Sequence, residues 1–385
     1  MRENSPIRLE RKHPCLQVRI DEARTEMIPN TLKKQRISVL ASLARASKDA
    51  CTPILVILLF AVVFLSIAIG AVEISPLQSL AIAAQKIGIA LPFNFTEQQQ
   101  SVLLYIRLPR VILGLAVGAA LAVSGAVLQS LFRNPLADPG LIGVSGGAAL
   151  TVSITIVFGE IIGLSNVFKP YFLPFAAFFG GLTATIFIYR LGRSKNSSNV
   201  ATMLLAGIAV NAFAVAGIGL MSFFATDTQL RNITFWNLGS IGSASWTNLT
   251  VAVPLILFSV VMLLRRARLL NVISLGEAEA RHLGVNTERL KREIVFFVAL
   301  AVGASVAVSG AIGFVGLIVP HLLRLTTGAD HRFLLRNSAL LGAILILTAD
   351  ILSRTVAAPA ELPIGIVTAL VGAPFFIWLL LRKNV

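Results

Sequence analysis

The chain is short of charge. Only 13% of its 385 residues are Asp, Glu, Lys or Arg, against 56% hydrophobic, and the mean hydropathy is +0.83. A soluble domain needs roughly a quarter of its residues charged to cover its surface, so this composition excludes a mainly water-covered exterior and leaves lipid as the solvent. Cysteine is nearly absent. Cys15 and Cys51 stand near the N-terminus without metal-ligand spacing, which implies neither a disulfide framework nor a metal site. No Gly-x-x-x-x-Gly-Lys-Ser/Thr cradle occurs, so ATP binding of that kind is not expected. No nucleophile–base pair or carboxylate pair falls at mid-membrane depth, which removes an intramembrane protease. The middles of the apolar runs also lack the acidic, histidine and lysine side chains that ion-coupled carriers usually hold there; Glu73, Glu160, Glu293 and Asp350 all fall near run ends. The expectation is a passage that is not an enzyme, carries no cofactor and takes its energy from elsewhere.

The formal charge is +15. Nucleic-acid binding would need a basic face with stacking aromatics, whereas here the basic residues separate apolar runs that hold most of the 23 phenylalanines. No nucleic-acid partner is expected, and the charge reads as membrane topology. Residues 1–52 are polar, carry eleven Lys/Arg and show no sustained period. They are too long for the basic head of a cleavable signal peptide and are expected to form a disordered cytoplasmic tail, with Met27 as an alternative start. The rest, 53–385, forms one all-α membrane domain. At about 20 residues per span, apolar segments fall near 53–73, 107–132, 140–158, 171–190, 199–224, 248–264, 291–310, 311–325, 334–353 and 363–381. The eighth is short and contains Pro320, so it reads as a half-helix or as a continuation of the seventh. With both termini inside, six Lys/Arg fall outside (Lys86, Arg107, Arg110, Lys169, Arg231 and Arg354) and the other 27 of 33 fall inside, which satisfies the positive-inside rule for a multi-pass inner-membrane protein.

An internal repeat is present. Val117–Ala126 and Val302–Ala311 agree at eight of ten positions. The copies lie five spans apart, and an odd offset inverts their direction, so spans 2–5 and 7–10 are expected to be inverted repeats with the pathway near their interface. Small-residue packing offers a second account of the same motif. The glycines of Gly140–Gly147 read as close packing at the start of span 3. Asn211, the most polar mid-span side chain, reads as an interhelical hydrogen bond or as a pathway-lining residue. Between spans 6 and 7, Leu275, Gly276, Glu277, Ala278, Glu279, Ala280, Arg281, His282, Leu283 and Gly284 read as a short helix stopped by glycine. That helix is either a lever for a soluble partner or an ordinary solvated loop.

The ordered motifs Ile106–Arg110, Ser124–Ala126, Asn134–Gly140, Leu275–Gly284, Gly313–His321 and Glu361–Gly365 resemble the FecCD-type permeases of binding-protein-dependent ABC importers, from the first span to the C-terminus. That resemblance implies a homodimer of ten-span subunits, two cytoplasmic ATPases and a periplasmic binding protein carrying an iron chelate, haem or cobalamin. It matches residues 275–283 to a coupling helix. It matches Arg107, Arg110 and Arg354 to arginines that dock acidic residues of the binding protein, with lipid phosphates as the alternative. The segment Thr234–Ser240 with Ala244–Trp246 is similar to haem permeases of this family, and Phe223, Phe224, Phe235 and Trp236 are candidates for an apolar lip at the entry, or for an interfacial aromatic belt. His282, His321 and His331 are all placed toward the cytoplasm, so no histidine is expected to ligate haem iron at entry. The rival function class is a channel or secondary carrier that needs no ATPase.

Deletion of residues 1–26, which leaves Met27 as the start, is expected to leave membrane insertion and transport near wild type, because that segment lacks the apolar periodicity needed to offset its ordering entropy. The measurement is membrane level and uptake of the truncated chain; loss of both contradicts it.

Overall fold

The computed structural model describes residues 50–86, 88–89, 91–159, 169–193 and 200–382. The expected tail lies outside these apart from its last three residues, and Cys15 lies outside with it. The described chain is all-helical, with fourteen helices. In order they are α1 (Ala50–Ala68), α2 (Pro76–Lys86), α3 (Glu97–Leu131), α4 (Val144–Phe158), α5 (Lys169–Leu191), α6 (Val200–Phe224), α7 (Asp227–Leu238), α8 (Trp246–Arg265), α9 (Ala267–Leu275), α10 (Glu277–His282), α11 (Thr287–Ser309), α12 (Val315–Thr327), α13 (His331–Thr355) and α14 (Ile364–Arg382). Each apolar segment expected from the sequence coincides with a helix. Seven are long and apolar enough to cross a membrane; α4, α12 and the stretch Ile364–Trp378 of α14 are shorter apolar helices.

Three helices were not foreseen, and two boundaries moved. The second span begins ten residues earlier than expected. Thr96 and Gln99 form a reciprocal capping box that starts α3 at Glu97, and a π-helical stretch at Val102–Arg107 carries it into the apolar run. Arg107 and Arg110 therefore lie within one continuous helix. The same device, Thr226 with Gln229, starts α7, which the sequence reading left unassigned. α2 and α9 are the other additions. The eighth segment is a separate short helix: Ser309 ends α11, Gly310 turns with φ +67°, and α12 starts only at Val315.

The two copies of the repeat occupy α3 and the last turns of α11. α3 ends beside α9, where Arg133 just beyond it donates to Ile273 O at 3.0 Å, whereas α11 starts beside α10, which follows α9 directly, so the copies run in opposite directions. Packing follows the same exchange. α3 of the first half packs on α12 and α13 of the second, and α11 of the second packs on α4 and α5 of the first. The copies differ in one respect: Ser124-Gly125 continues a helix, while Ser309-Gly310 ends one.

Small residues set the spacing at these crossings. A Cβ on Gly118 would lie 2.3 Å from the Gly342 carbonyl oxygen, one on Gly342 would lie 2.3 Å from that of Gly118, and one on Gly125 would lie 2.0 Å from that of Gly316. α3 is accordingly enclosed along most of its length, whereas α1 and α6 bury few residues and turn apolar surface outward. Near the starts of α4 and α12 side chains serve two carbonyls, Gly140 in the 3-10 turn that precedes α4 and Gly316 within α12, where Pro320 four residues on has no N–H to donate. Asn211 Nδ2 donates to Gly140 O at 3.0 Å, and Gln129 Nε2 donates to Gly316 O at 3.0 Å. Irregular backbone within apolar surroundings requires such partners.

Gly118→Val is expected to force α3 from α13 and destabilise the protein by about 1–3 kcal/mol or more, since overpacking cannot be relieved against backbone. Gly219→Ala is the control, because a Cβ there meets nothing within 4 Å. Thermal unfolding in detergent checks the pair; equal melting temperatures would contradict the assignment.

Candidate functional site

The ten residues singled out between spans 6 and 7 form one unit. Gly276, with φ 145°, turns the chain from α9 into α10, and Gly284, with φ 80°, ends the segment. Glu277 and Glu279 occupy the first turn of α10 and Arg281 and His282 its last, an order that complements the helix dipole. Ala280 is fully buried. Its N–H donates to Gly276 O at 2.9 Å, and its carbonyl accepts from Val285 N at 2.9 Å. Side chains then fix α10 to α11. Lys291, itself buried, bridges Glu277 at 2.9 Å and Glu288 at 3.2 Å, and Arg281 Nε donates to Thr287 Oγ1 at 3.2 Å. Leu275 and Leu283 flank the helix and are 68% and 64% exposed; Ala278, Glu279, Arg281 and His282 are exposed between them. The unit is a rigid, charged knob with an apolar side chain at each end.

The three arginines expected to face a partner are placed differently. Arg107, Arg110 and Arg354 come together at the end of the bundle opposite α10, but they are buried. Arg110 Nε pairs with the fully buried Asp350 at 2.8 Å, and its outer nitrogens meet Glu361 at 2.9–3.0 Å. Arg354 meets the same Asp350 at 3.0 Å and also donates to Ser66 Oγ at 3.0 Å and Ile69 O at 3.0 Å. Arg107 donates to the carbonyls of Ile67, Ala68 and Val72. The carbonyls of Ser66, Ile67, Ala68 and Ile69 belong to the C-terminal end of α1, which leaves acceptors without intrahelical partners. Arg107 and Arg354 supply those partners and add cations where the helix dipole favours them. In this arrangement the arginines brace α1 against α3 and α13 and do not form an exposed basic surface. A charge reversal at Arg110 or Arg354 would strand Asp350, so it would act on folding before it could report on docking.

The candidate pathway residues are also divided. Phe235 and Trp236 on α7 line a cavity of 480 Å³ with Asn232, Ser240, Asn248 and Ser309. α7 is held there by close backbone contacts: Ser240 N donates to Ser309 O at 2.7 Å, and Gly310 lies against the Trp236 carbonyl. Phe223 and Phe224 lie at the end of α6, exposed and edge to face at 5.4 Å, and neither lines that cavity. Asn211 is half-buried and committed to the Gly140 carbonyl; one turn earlier, Gly207 lets α6 approach Leu141. Its placement is that of an interhelical bond. No group of three or more His, Cys, Asp or Glu that could hold a metal ion occurs among the described residues.

Comparison with known proteins gives a consistent picture. The profile of the FecCD transport family matches residues 57–382. The hemin transport system permease protein HmuU of Yersinia pestis is 50% identical over 281 residues, 73% of this chain and 83% of that protein. The cobalamin import system permease protein BtuC of Halobacterium salinarum is 41% identical over 299 residues, 77% of each. A solved inward-facing ABC transporter assigned to the metal-chelate type superposes with a TM-score of 0.73 at 33% identity, covering 85% of this chain and 97% of that one.

Asp350→Ala is expected to be severe, about 3–5 kcal/mol of lost stability, because it leaves two buried arginines without their shared carboxylate. Glu361→Gln removes a carboxylate whose side chain is 48% exposed and should cost at most about 1 kcal/mol. Melting temperatures of the two purified variants check the ranking, and equal shifts would contradict it.

Proposed function

The chain belongs to the FecCD transport family, and we propose that it is the membrane subunit of an ATP-driven importer, forming with a second copy of itself the passage for haem or another iron chelate across the bacterial inner membrane. The observation that carries the coupling half is α10. A soluble ATPase can push only on a part that does not deform, and α10 is joined to α11 through Glu277, Lys291 and Arg281 while presenting Leu275 and Leu283 outward. In this reading ATP is hydrolysed by two separate cytoplasmic subunits docked at that knob, both termini are cytoplasmic, and a periplasmic binding protein delivers cargo at the opposite end. The arginine cluster underlies the face on which that protein lands.

The cargo is argued from two observations. The 50% identical relative is named for hemin transport, and the cavity under α7 places a phenylalanine and a tryptophan beside amide and hydroxyl groups, a lining that suits a flat aromatic ligand with polar edges. Relatives named for cobalamin and vitamin B12 import, at 39–42% identity, favour a second reading in which the same machinery carries a corrinoid. Ferric siderophores are the third class. An energy-independent carrier would need neither the rigid knob nor its exposed leucines.

The test is uptake into proteoliposomes holding the full complex. Haem is expected to accumulate with ATP, and a ferric siderophore and cobalamin are not; cobalamin or siderophore uptake without haem would overturn the cargo alone, and uptake without the ATPase would overturn the importer. Ala280→Pro in the same system loses the bond to Gly276 and places a ring in a filled site, at about 3 kcal/mol or more. It is expected to insert normally yet lose transport at least tenfold, and unchanged substrate-stimulated ATP turnover would contradict the role given to α10.

A further inference from the structure

Three helices distant in sequence meet at the α10 end in one chain of hydrogen bonds. Asn271 on α9 donates from Nδ2 to Asp330 Oδ1 at 2.8 Å. That bond fixes which end of the amide faces His331. Asn271 Oδ1 therefore accepts, from the His331 backbone N–H at 2.9 Å and from its ring Nδ1 at 2.6 Å. With Nδ1 as the donor, a neutral imidazole carries its lone pair on Nε2, and that nitrogen takes the hydroxyl hydrogen of Ser130 on α3. Ser130 Oγ also lies 2.9 Å from Ala126 O, so one hydrogen is divided between the carbonyl of its own helix and the ring on α13. Both His331 and Ser130 are buried.

The chain has a direction. On one side, α9 leads through Gly276 into α10, the helix on which an ATPase would act. On the other, Ser130 and His331 are the terminal turns of α3 and α13. Adhesion of α9 does not need these bonds, because Leu270 and Ile273 are fully buried in the core and Arg133 donates to Ile273 O at 3.0 Å. Apolar contact is non-directional and tolerates sliding, whereas hydrogen bonds weaken steeply off axis. What Asn271 adds is register.

We propose that Asn271 is a positioning residue through which displacement of α10 is passed, by way of His331 and Ser130, to α3 and α13 together. The inference rests on the importer reading above. Without the chain, α9 stays docked but slips against the two helices, so ATP is hydrolysed without a matching movement of the passage. A merely structural contact would lower transport and ATP turnover in parallel, and the ratio of cargo moved to ATP consumed separates the two.

The experiment uses the whole complex in proteoliposomes, with whichever of haem, a ferric hydroxamate or cobalamin the wild type imports. Asn271→Ala is expected to retain assembly and basal ATP hydrolysis while the transport-to-ATP ratio falls at least fivefold. His331→Gln, which keeps an amide near the Nε2 position but loses the Nδ1 link, is expected to fall equally, and the double variant no further, since both act in one chain. Asn271→Ser provides the same reading should the alanine variant fail to assemble. A ratio that stays at the wild-type value in Asn271→Ala, or losses that add in the double variant, would overturn the relay while the importer stands. Absence of ATP-driven transport in the wild type would overturn both.

Discussion

The approach of Gly118 to Gly342 brings the backbones of α3 and α13 close enough that a methyl group on either would strike the other's carbonyl. In lipid there is no hydrophobic drive to bring helices together, and association depends on such close packing and on interhelical hydrogen bonds. α3 and α13 use both. Their middles touch through glycine, one pair of ends is joined by Arg110 and Asp350, and the other pair by Ser130 and His331. The twenty residues from Arg110 to Ser130 span about 30 Å at 1.5 Å per residue, the thickness of a bilayer core. The pair is a strut locked at three levels, and α12, α11 and α8 pack around it.

The two locked ends differ in chemistry. At the arginine end, three cations and two carboxylates are drawn together, and the fully buried Asp350 serves Arg110 and Arg354 at once. Burying charge is costly unless every group finds partners; here α1 supplies the remainder, offering its terminal carbonyls to Arg107 and Arg354. The same contacts hold α1, which otherwise has little surface against the bundle. At the α10 end α3 and α13 are joined by a hydrogen bond, Ser130 to His331, in place of an ion pair; the ion pairs of Lys291 tie α10 to α11, and glycines separate the rigid pieces. One end resists deformation, and the other is jointed.

Most of the framework could be read from the sequence. Hydropathy located the apolar helices, the repeat implied inverted halves, and glycine with good helix formers located α10 to within two residues. The errors share a cause. Starting span 2 at Arg107 followed hydropathy and passed over Thr96-x-x-Gln99, a capping signal that was present; Thr226-x-x-Gln229 marked α7 in the same way. The burial of Arg107 and Arg110 had no local signal, because their partners are carbonyls of Ile67–Val72 and a carboxylate 240 residues away in sequence; only Arg354 had a near partner, Asp350 one turn earlier on α13. Asn271 was invisible for the same reason: its meaning lies in His331, which the sequence only places toward the cytoplasm, away from the entry. Local patterns report elements, while long-range polar partners require the fold.

The central claim, that α3 and α13 move as one body, is tested most directly by a distance. Spin labels at the exposed Tyr105 and Arg332, on a background lacking Cys15 and Cys51, bracket the strut from end to end. Pulsed electron resonance on the reconstituted complex with and without ATP should give one unchanged distance within the chain, while the Arg332-to-Arg332 distance between the two copies of the proposed dimer shifts. A change in the Tyr105–Arg332 distance on ATP binding would contradict the account.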